Sequence, residues 1–181
     1  MKKDRRNVFF RMLALPAAMV FAEPVFAAPL SAPNVVEITP RLVTAGQPSA
    51  KALAGLGAMG FEADIYLAPF TVMDAVKDEP LIVGRQGLVF INIPIQFGNP
   101  TEKDFETFAA ELTKLGDRKV LVHCQVNMRA SSMVFLYRVI VNKEDPNTAY
   151  KAVAQVWTPE GSWKRLMQDL LKKNNVNFEP Y

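Results

Sequence analysis

The sequence predicts an α/β fold in which helices flank a central, mostly parallel sheet, and in which the last third of the chain is helical. Short strand-like runs alternate with helical patterns between residues 35 and 123. After residue 124 only helical patterns follow. Alternating strands and helices favour parallel strands joined by crossover helices, and ligand sites in such sheets lie beyond the carboxyl ends of the strands.

Apolar runs of strand length predict strands over residues 35–38, 42–45, 63–68, 88–95 and 119–123. Ser49 can cap a helix over residues 50–59, and Thr101 with Asp104 forms a capping box that opens a helix ending at Gly116. We also expect a helix over residues 71–77 and a polar loop over residues 78–87. Helices are predicted from residue 130 onward and over residues 146–157 and 160–173.

Residues 1–27 have the pattern of a secretory signal, which is removed on export. Basic residues precede an apolar run over residues 8–22, and Val25, Phe26 and Ala27 supply a small-residue cleavage site. Arg5 and Arg6 also resemble a twin-arginine signal, so export by either the Sec or the twin-arginine route is open. We expect a protein of the bacterial periplasm or a secreted protein, with a Pro-rich tether over residues 28–34.

The composition is that of one globular domain, with 181 residues, of which 50% are hydrophobic. The formal charge is +3, and the residues before position 28 supply all of it. The rest of the chain is neutral, which gives no support for nucleic-acid binding. A single cysteine and a single histidine exclude an intrachain disulfide and predict no metal site. We expect no cofactor and no stable membrane association once the signal is removed.

The sole histidine and the sole cysteine are adjacent, as His123 and Cys124, at the end of the last predicted strand. A loop of Gln125, Val126, Asn127 and Met128 follows, and Arg129 closes it at the start of a helix. Loop amides, a helix N-terminus and a guanidinium would together bind a small anion. Asn127 stands where the loop needs a positive φ, which asparagine tolerates better than most residues.

A cysteine thiol ordinarily titrates near pH 8.5, and its pKa falls to about 4–7 at a helix start beside a cation. The pattern therefore predicts that Cys124 is a thiolate nucleophile and that residues 125–129 bind the anion. Ser131, or the adjacent Ser132, can hydrogen-bond the thiolate when it departs. We expect His123 to support the loop through a hydrogen bond to the backbone.

The His-Cys pair, the short loop, Arg129 and the Ser-bearing helix together resemble the cysteine phosphatase superfamily. Two further segments, Thr44 to Ser49 and Asn92 to Pro94, are similar to the bacterial beta-lactamase-hydrolase-like, dual-specificity-type phosphatases. The resemblance implies a protein tyrosine phosphatase-like domain over residues 35–175. It also implies an enzyme in which Cys124 attacks phosphorus and Arg129 holds the phosphoryl oxygens.

The sequence departs from that superfamily in two ways. Four residues, rather than five, separate Cys124 from Arg129, which is the loop length of rhodanese-type sulfurtransferases. The superfamily's general acid is an aspartate about thirty residues before the cysteine, and residues 93–98 contain no carboxylate. Asp104 and Glu102 are the nearest carboxylates, and both are explained as first-turn helix residues. The general acid is therefore unassigned, with Asp104 as the candidate.

Three functions remain open at this point. The first is an exported cysteine-dependent phosphatase, slow if it lacks a general acid. The second is a sulfurtransferase that carries a persulfide on Cys124, although rhodanese domains continue with strands where this chain continues with helices. The third is a weakly catalytic module that binds anions or phosphopeptides. The expected partner is accordingly a small phosphorylated or sulfur-bearing substrate, or a phosphoprotein.

Overall fold

The computed structural model describes residues 29–181. The predicted signal over residues 1–27 lies outside the described residues. Among the helices that are described, none combines the length and the apolar character needed to cross a membrane.

The centre of the molecule is a five-stranded sheet that brings three strand ends together at the cysteine. Its strands are β1 (Val36–Thr39), β2 (Leu42–Ala45), β3 (Ala63–Tyr66), β4 (Val89–Asn92) and β5 (Val120–His123). They lie in the order β1-β2-β5-β3-β4, and only β1 runs antiparallel to its neighbour. Ala45 and Tyr66 pair with His123 from either side, so β2, β5 and β3 end at one level. The predicted mostly parallel sheet is confirmed.

Six helices flank the sheet in the described part of the chain. They are α1 (Ala50–Leu53), α2 (Glu79–Gly84), α3 (Glu102–Leu115), α4 (Met128–Ile140), α5 (Pro146–Ala154) and α6 (Gly161–Lys173). The capping box of α3 forms as predicted, since Asp104 N donates to Thr101 Oγ1 and Thr101 N donates to Asp104 Oδ2. No described strand follows β5, so the helical last third is also confirmed.

Two helix predictions before β4 are wrong. The helix expected over residues 50–59 stops at Leu53 and resumes only as a 3₁₀ turn at Gly57–Met59. Glycines at 55 and 57 disfavour a continuous helix there. The helix expected over residues 71–77 is instead a series of turns, and α2 forms inside the interval predicted as loop. Pro80 lies in the first turn of α2, where its missing N–H costs nothing.

The core is built around α4, which is buried along almost all of its length. It packs on β2 and β5 and against α3, α5 and α6, so that it is apolar on nearly every side. Trp163 of α6 and Tyr150 of α5 are fully buried beside it. The helix that begins at the active-site loop is thus held by the whole C-terminal third of the chain.

The last residues of the predicted tether, just before β1, make hydrogen bonds to the region around the cysteine. Gly46 N donates to the Pro33 carbonyl oxygen at 2.6 Å, and Asn34 Nδ2 donates to the Val126 carbonyl oxygen at 3.0 Å. Residues 33 and 34 therefore pack against the loop that follows Cys124.

Candidate active site

Cys124 lies at the carboxyl end of the central strand β5, where the sequence places it. Its side chain is fully buried, and its amide donates to the Ala45 carbonyl oxygen at 3.3 Å. The strand, loop and helix expected around this cysteine are all present. The flanking strands fix the cysteine's backbone on a rigid element, which suits a group that must be positioned for attack.

Asn127 has the positive φ that was predicted for it, at 73°, and it is the residue before α4 begins. Its side chain is buried and donates to the Asn34 carbonyl oxygen at 2.6 Å and to Thr44 Oγ1 at 3.0 Å. These two bonds join the loop to β2 and to the N-terminal segment. The side chain of Asn127 therefore holds the loop in its conformation.

Gly46 allows the loop to lie directly against the end of β2. A Cβ atom added at Gly46 would lie 2.7 Å from the Gln125 carbonyl oxygen and 2.8 Å from Pro33 Cβ. The same oxygen accepts a hydrogen bond from Gln47 N at 2.9 Å. Only glycine fits at this position without displacing the loop.

Arg129 is 4% exposed and is oriented by contacts to three neighbours. Its Nε donates to the Ile95 carbonyl oxygen at 3.0 Å, and Nη1 reaches Gln125 Oε1 at the long distance of 3.4 Å. The guanidinium carbon lies 5.1 Å from the centre of the Phe97 ring, within cation–π range. Nη2 donates to no other described residue, so one edge of the guanidinium is available to an oxyanion.

A pocket of about 210 Å³ opens above this loop. Its walls are formed by Asp74, Phe97, Gln125, Val126, Met128 and Arg129. Four of the five residues predicted to bind the anion line it, and Asn127 does not. Cys124, the residue before the loop, is fully buried and is not among the residues that line the pocket. The first amides of α4 have no acceptor within the helix, so this end of α4 favours an anion in the pocket.

His123 supports the site from within the core, but through carboxylates rather than through the backbone bond that we expected. Its Nε2 lies 2.7 Å from Glu79 Oε1 and 3.2 Å from Asp64 Oδ1, and all three side chains are fully buried. The imidazole also stacks on Tyr66, with ring centres 4.9 Å apart. Gln47 Nε2 holds the other oxygen of Glu79 at 2.8 Å.

Burial changes the protonation of this cluster. Burial alone would lower the pKa of His123, yet the charges and hydrogen bonds of Asp64 and Glu79 raise it to about 10. Burial raises the pKa of Asp64 to about 6, against the opposing effect of His123. His123 is therefore an imidazolium at neutral pH, paired with the carboxylates of the buried cluster.

Asp64, Glu79 and His123 are also the described residues that come nearest to a metal-binding group. Their ligand atoms all lie within 4.8 Å of one another. His123 Nε2 forms a hydrogen bond with Glu79 Oε1 and lies 3.2 Å from Asp64 Oδ1. The geometry therefore favours a proton-sharing cluster.

The remaining predicted site residues do not line the pocket. Ser131 Oγ donates to the Met128 carbonyl oxygen at 3.2 Å, whereas Ser132 Oγ is buried and has no partner among the described residues. Asp104 caps α3 and does not line the pocket. The structure thus gives no support to Asp104 as the general acid.

Sequence reasoning missed Asp74 and Glu79. Asp74 Oδ1 accepts a hydrogen bond from Gln125 Nε2 at 2.8 Å, which places a carboxylate on the pocket wall. Neither acid belongs to a motif with recognisable spacing. The only signal was topological, since both follow β3, which lies beside the cysteine strand.

Comparison with known proteins identifies the family. A family described as "DSP-PTPase phosphatase fused to NAD+ Kinase" matches residues 34–168. The chain belongs to this phosphatase family. No protein of curated function matches the sequence.

Solved structures share the fold of this phosphatase family member. A candidate phosphatase of the DUF442 group from Shewanella putrefaciens CN-32 is 28% identical, with a TM-score of 0.72 over 78% of this chain and 91% of that chain. Kinase associated phosphatase, with its catalytic-site cysteine replaced by serine, is 14% identical, with a TM-score of 0.64 over 76% and 89%. TpbA from P. aeruginosa is 16% identical, with a TM-score of 0.58 over 77% and 84%.

The phosphatase family and the fold together establish a cysteine-dependent phosphatase-like enzyme with a protein tyrosine phosphatase-like fold. Cys124 is the only cysteine in the chain.

Proposed function

We propose that this protein hydrolyses phosphate monoesters through a phosphocysteine formed at Cys124. The observation that carries the proposal is that one short loop joins Cys124, buried at the end of β5, to Arg129, which lines the pocket with one edge of its guanidinium available. Arg129 and the first amides of α4 stabilise charge on the phosphoryl oxygens, which is where a phosphoryl-transfer enzyme needs donors.

The reaction proceeds in two displacements. The Cys124 thiolate attacks phosphorus, the S–P bond forms, and the bond to the leaving alcohol or phenol breaks. Water then attacks the phosphocysteine, the S–P bond breaks, and inorganic phosphate and the thiolate are released.

An aromatic cleft beside the pocket supports an aryl phosphate as substrate. The cleft has a volume of about 440 Å³, and Phe97 and Met128 line both it and the pocket. The Phe97 ring lies 5.9 Å from the rings of both Trp157 and Trp163, centre to centre. Such a surface favours a planar apolar leaving group. TpbA, which shares the fold, has been solved in complex with phosphotyrosine.

One panel of assays tests the proposed function. Cys124→Ser should abolish hydrolysis of p-nitrophenyl phosphate, while Lys151→Ala, an exposed change on α5 at a residue that does not line the pocket, should leave it unchanged. Full turnover by Cys124→Ser would contradict the mechanism. Thiosulfate-to-cyanide transfer is measured in parallel, because the four-residue loop favours a sulfurtransferase. Transfer without phosphate release would favour that alternative, and binding of phosphotyrosine without either reaction would favour the binding module.

We further propose that the enzyme is exported, because residues 1–27 have the composition of a signal. A fusion of residues 1–34 to a reporter should carry the reporter out of the bacterial cytoplasm. Replacing Arg5 and Arg6 with lysine separates the two routes, since only twin-arginine export requires that pair. A reporter that stays in the cytoplasm would contradict export by either route.

A further inference from the structure

We propose that Asp74, in the loop between β3 and α2, is the general acid of the phosphatase reaction. The proposal rests on the phosphatase function proposed above. Asp74 lies fifty positions before Cys124. Its loop follows β3, whereas the aspartate of the superfamily was sought in the loop that follows β4. Asp74 is the only carboxylate that lines the pocket among residues 29–181.

The position of Asp74 suits proton donation to a leaving group. Its side chain is exposed and lines the same pocket as Arg129, so a phosphoryl group bound by Arg129 would lie beside it. Gln125 connects the acid to the anion site, because Nε2 donates to Asp74 Oδ1 at 2.8 Å and Oε1 accepts from Arg129 Nη1 at 3.4 Å. The long second bond is the one that a bound phosphoryl group can replace.

The charges that act on the buried phenol of Tyr66 also indicate that Asp74 lies near Cys124 and Arg129. Burial raises the pKa of Tyr66 well above its usual range, and the negative charges of Glu79, Asp74 and Cys124 raise it further. Arg129 acts in the opposite direction on the same phenol. Asp74, Cys124 and Arg129 therefore all lie within electrostatic reach of one group.

The loop that carries Asp74 is fixed at its base. Leu67 N donates to the His123 carbonyl oxygen at 2.8 Å, and Asn92 Nδ2 donates to the Ala68 carbonyl oxygen at 3.0 Å. Phe70 packs on Tyr66, with ring centres 5.3 Å apart. The loop tip, where Met73 is fully exposed, lies beyond this anchored base. Asp74 is thus held over the pocket while remaining accessible to a substrate.

Other described carboxylates near the site have different partners. Asp64 and Glu79 are fully buried against His123, on the core side of the cysteine. Asp104 caps α3, and Glu102 pairs with Lys173 of α6. Glu160 lines the aromatic cleft and not the pocket. Asp74 is the acid that remains.

The proton and electrons balance as follows. In the first step the S–P bond forms as the P–O bond breaks, and the Asp74 proton passes to the leaving oxygen. In the second step Asp74, now a carboxylate, accepts a proton from the attacking water as the S–P bond breaks. The cycle returns the Cys124 thiolate and protonated Asp74, with no other reactant required.

The dependence on leaving group tests this assignment. Asp74→Asn should lower kcat/KM about 10²- to 10⁴-fold for phenyl phosphate, whose leaving phenolate needs a proton. The loss should be much smaller for p-nitrophenyl phosphate, because p-nitrophenolate leaves without protonation. Asp78→Asn, in the same loop and exposed, is the matched control and should behave as the wild type.

The outcomes separate this assignment from the proposed function. Equal losses on both substrates, or no loss on either, would overturn the role of Asp74 and leave the phosphatase intact. A wild type without any Cys124-dependent hydrolysis would overturn both. Circular dichroism and thermal melting of Asp74→Asn show whether the fold is retained, and Asp74→Glu, which restores a carboxyl group, should recover part of the phenyl phosphate activity.

Discussion

His123 brings a positive charge to the residue before Cys124, and the buried carboxylates of Asp64 and Glu79 keep that charge in place. All three side chains have no exposed surface, so the two carboxylates depend on the single imidazolium between them for compensation of their charge. A neutral imidazole at this position would leave two carboxylates buried together. The cluster therefore links the stability of the fold to the charge beside the thiol.

Stability should depend on pH through His123. The folded pKa of about 10 exceeds the value of about 6.5 expected in the unfolded chain. The folded state thus holds this proton more tightly, and its contribution is complete below about pH 6.5 and is lost as the pH rises through about 10. We expect the free energy of unfolding of the wild type to fall between about pH 7 and pH 9.5 for this reason.

Glu79→Gln isolates that contribution, because it removes one of the charges that raise the pKa of His123. Urea unfolding at about pH 7 and about pH 9.5 should show a smaller fall in the free energy of unfolding for Glu79→Gln than for the wild type. Glu106→Gln, an exposed change on α3, should leave the fall unchanged. Identical pH dependence in the wild type and Glu79→Gln would show that Glu79 does not stabilise the imidazolium.

Nearly every residue between Thr44 and Ser49, at the end of β2 and just after it, makes a contact that stabilises the surrounding structure. Thr44 accepts a hydrogen bond from Asn127, Gly46 packs on Gln125, and Gln47 holds Glu79. Ser49 caps α1 by accepting from Ala52 N at 3.2 Å. This segment of the chain therefore fixes both the active-site loop and the buried cluster.

Gly46→Ala tests how closely the loop depends on β2. The new Cβ would meet the Gln125 carbonyl oxygen and Pro33, so we expect a destabilisation of about 1–3 kcal/mol together with a loss of activity. Gly84→Ala, in α2 with open space around it, should be neutral or stabilise by about 0.5–1 kcal/mol. Urea unfolding and kcat/KM measure both. A Gly46→Ala protein as stable and active as Gly84→Ala would refute the close contact.

Most helices and strands could be predicted because their signals, apolar runs and capping residues, lie within the elements themselves. All five strands were expected within three residues of their observed ends, and the capping box gave the start of α3. The short helix α2 was missed because only Glu79 and Val83 are buried on it, which gives too little periodicity to detect. Its formation depends on the Glu79–His123 contact, which no local pattern shows.

At the scale of the whole molecule, the fold brings together groups that the sequence keeps apart. Cys124, Arg129 and the loop residues could be predicted because they are contiguous. Asp74 could not, since it reaches the pocket only because β3 and β5 are neighbours in the sheet. The docking of Asn34 on Val126 was equally hidden, because it joins residues 92 positions apart. Long-range packing, rather than any motif, completes the site.

The chain combines the fold of the cysteine phosphatases with a loop of four residues between cysteine and arginine. The pocket above that loop is small, and an aromatic cleft adjoins it. An aryl phosphate is therefore the substrate that we propose for it. This arrangement makes the covalent intermediate the point on which the whole account depends.

The most direct test is mass spectrometry of the protein quenched in acid during turnover of p-nitrophenyl phosphate. We expect a phosphoryl adduct on the peptide that contains Cys124, with more of it in Asp74→Asn, because that variant lacks the base for the second step. The adduct should be absent from Cys124→Ser. Phosphate release by the wild type with no adduct on that peptide at any quench time, in either protein, would contradict a phosphocysteine mechanism.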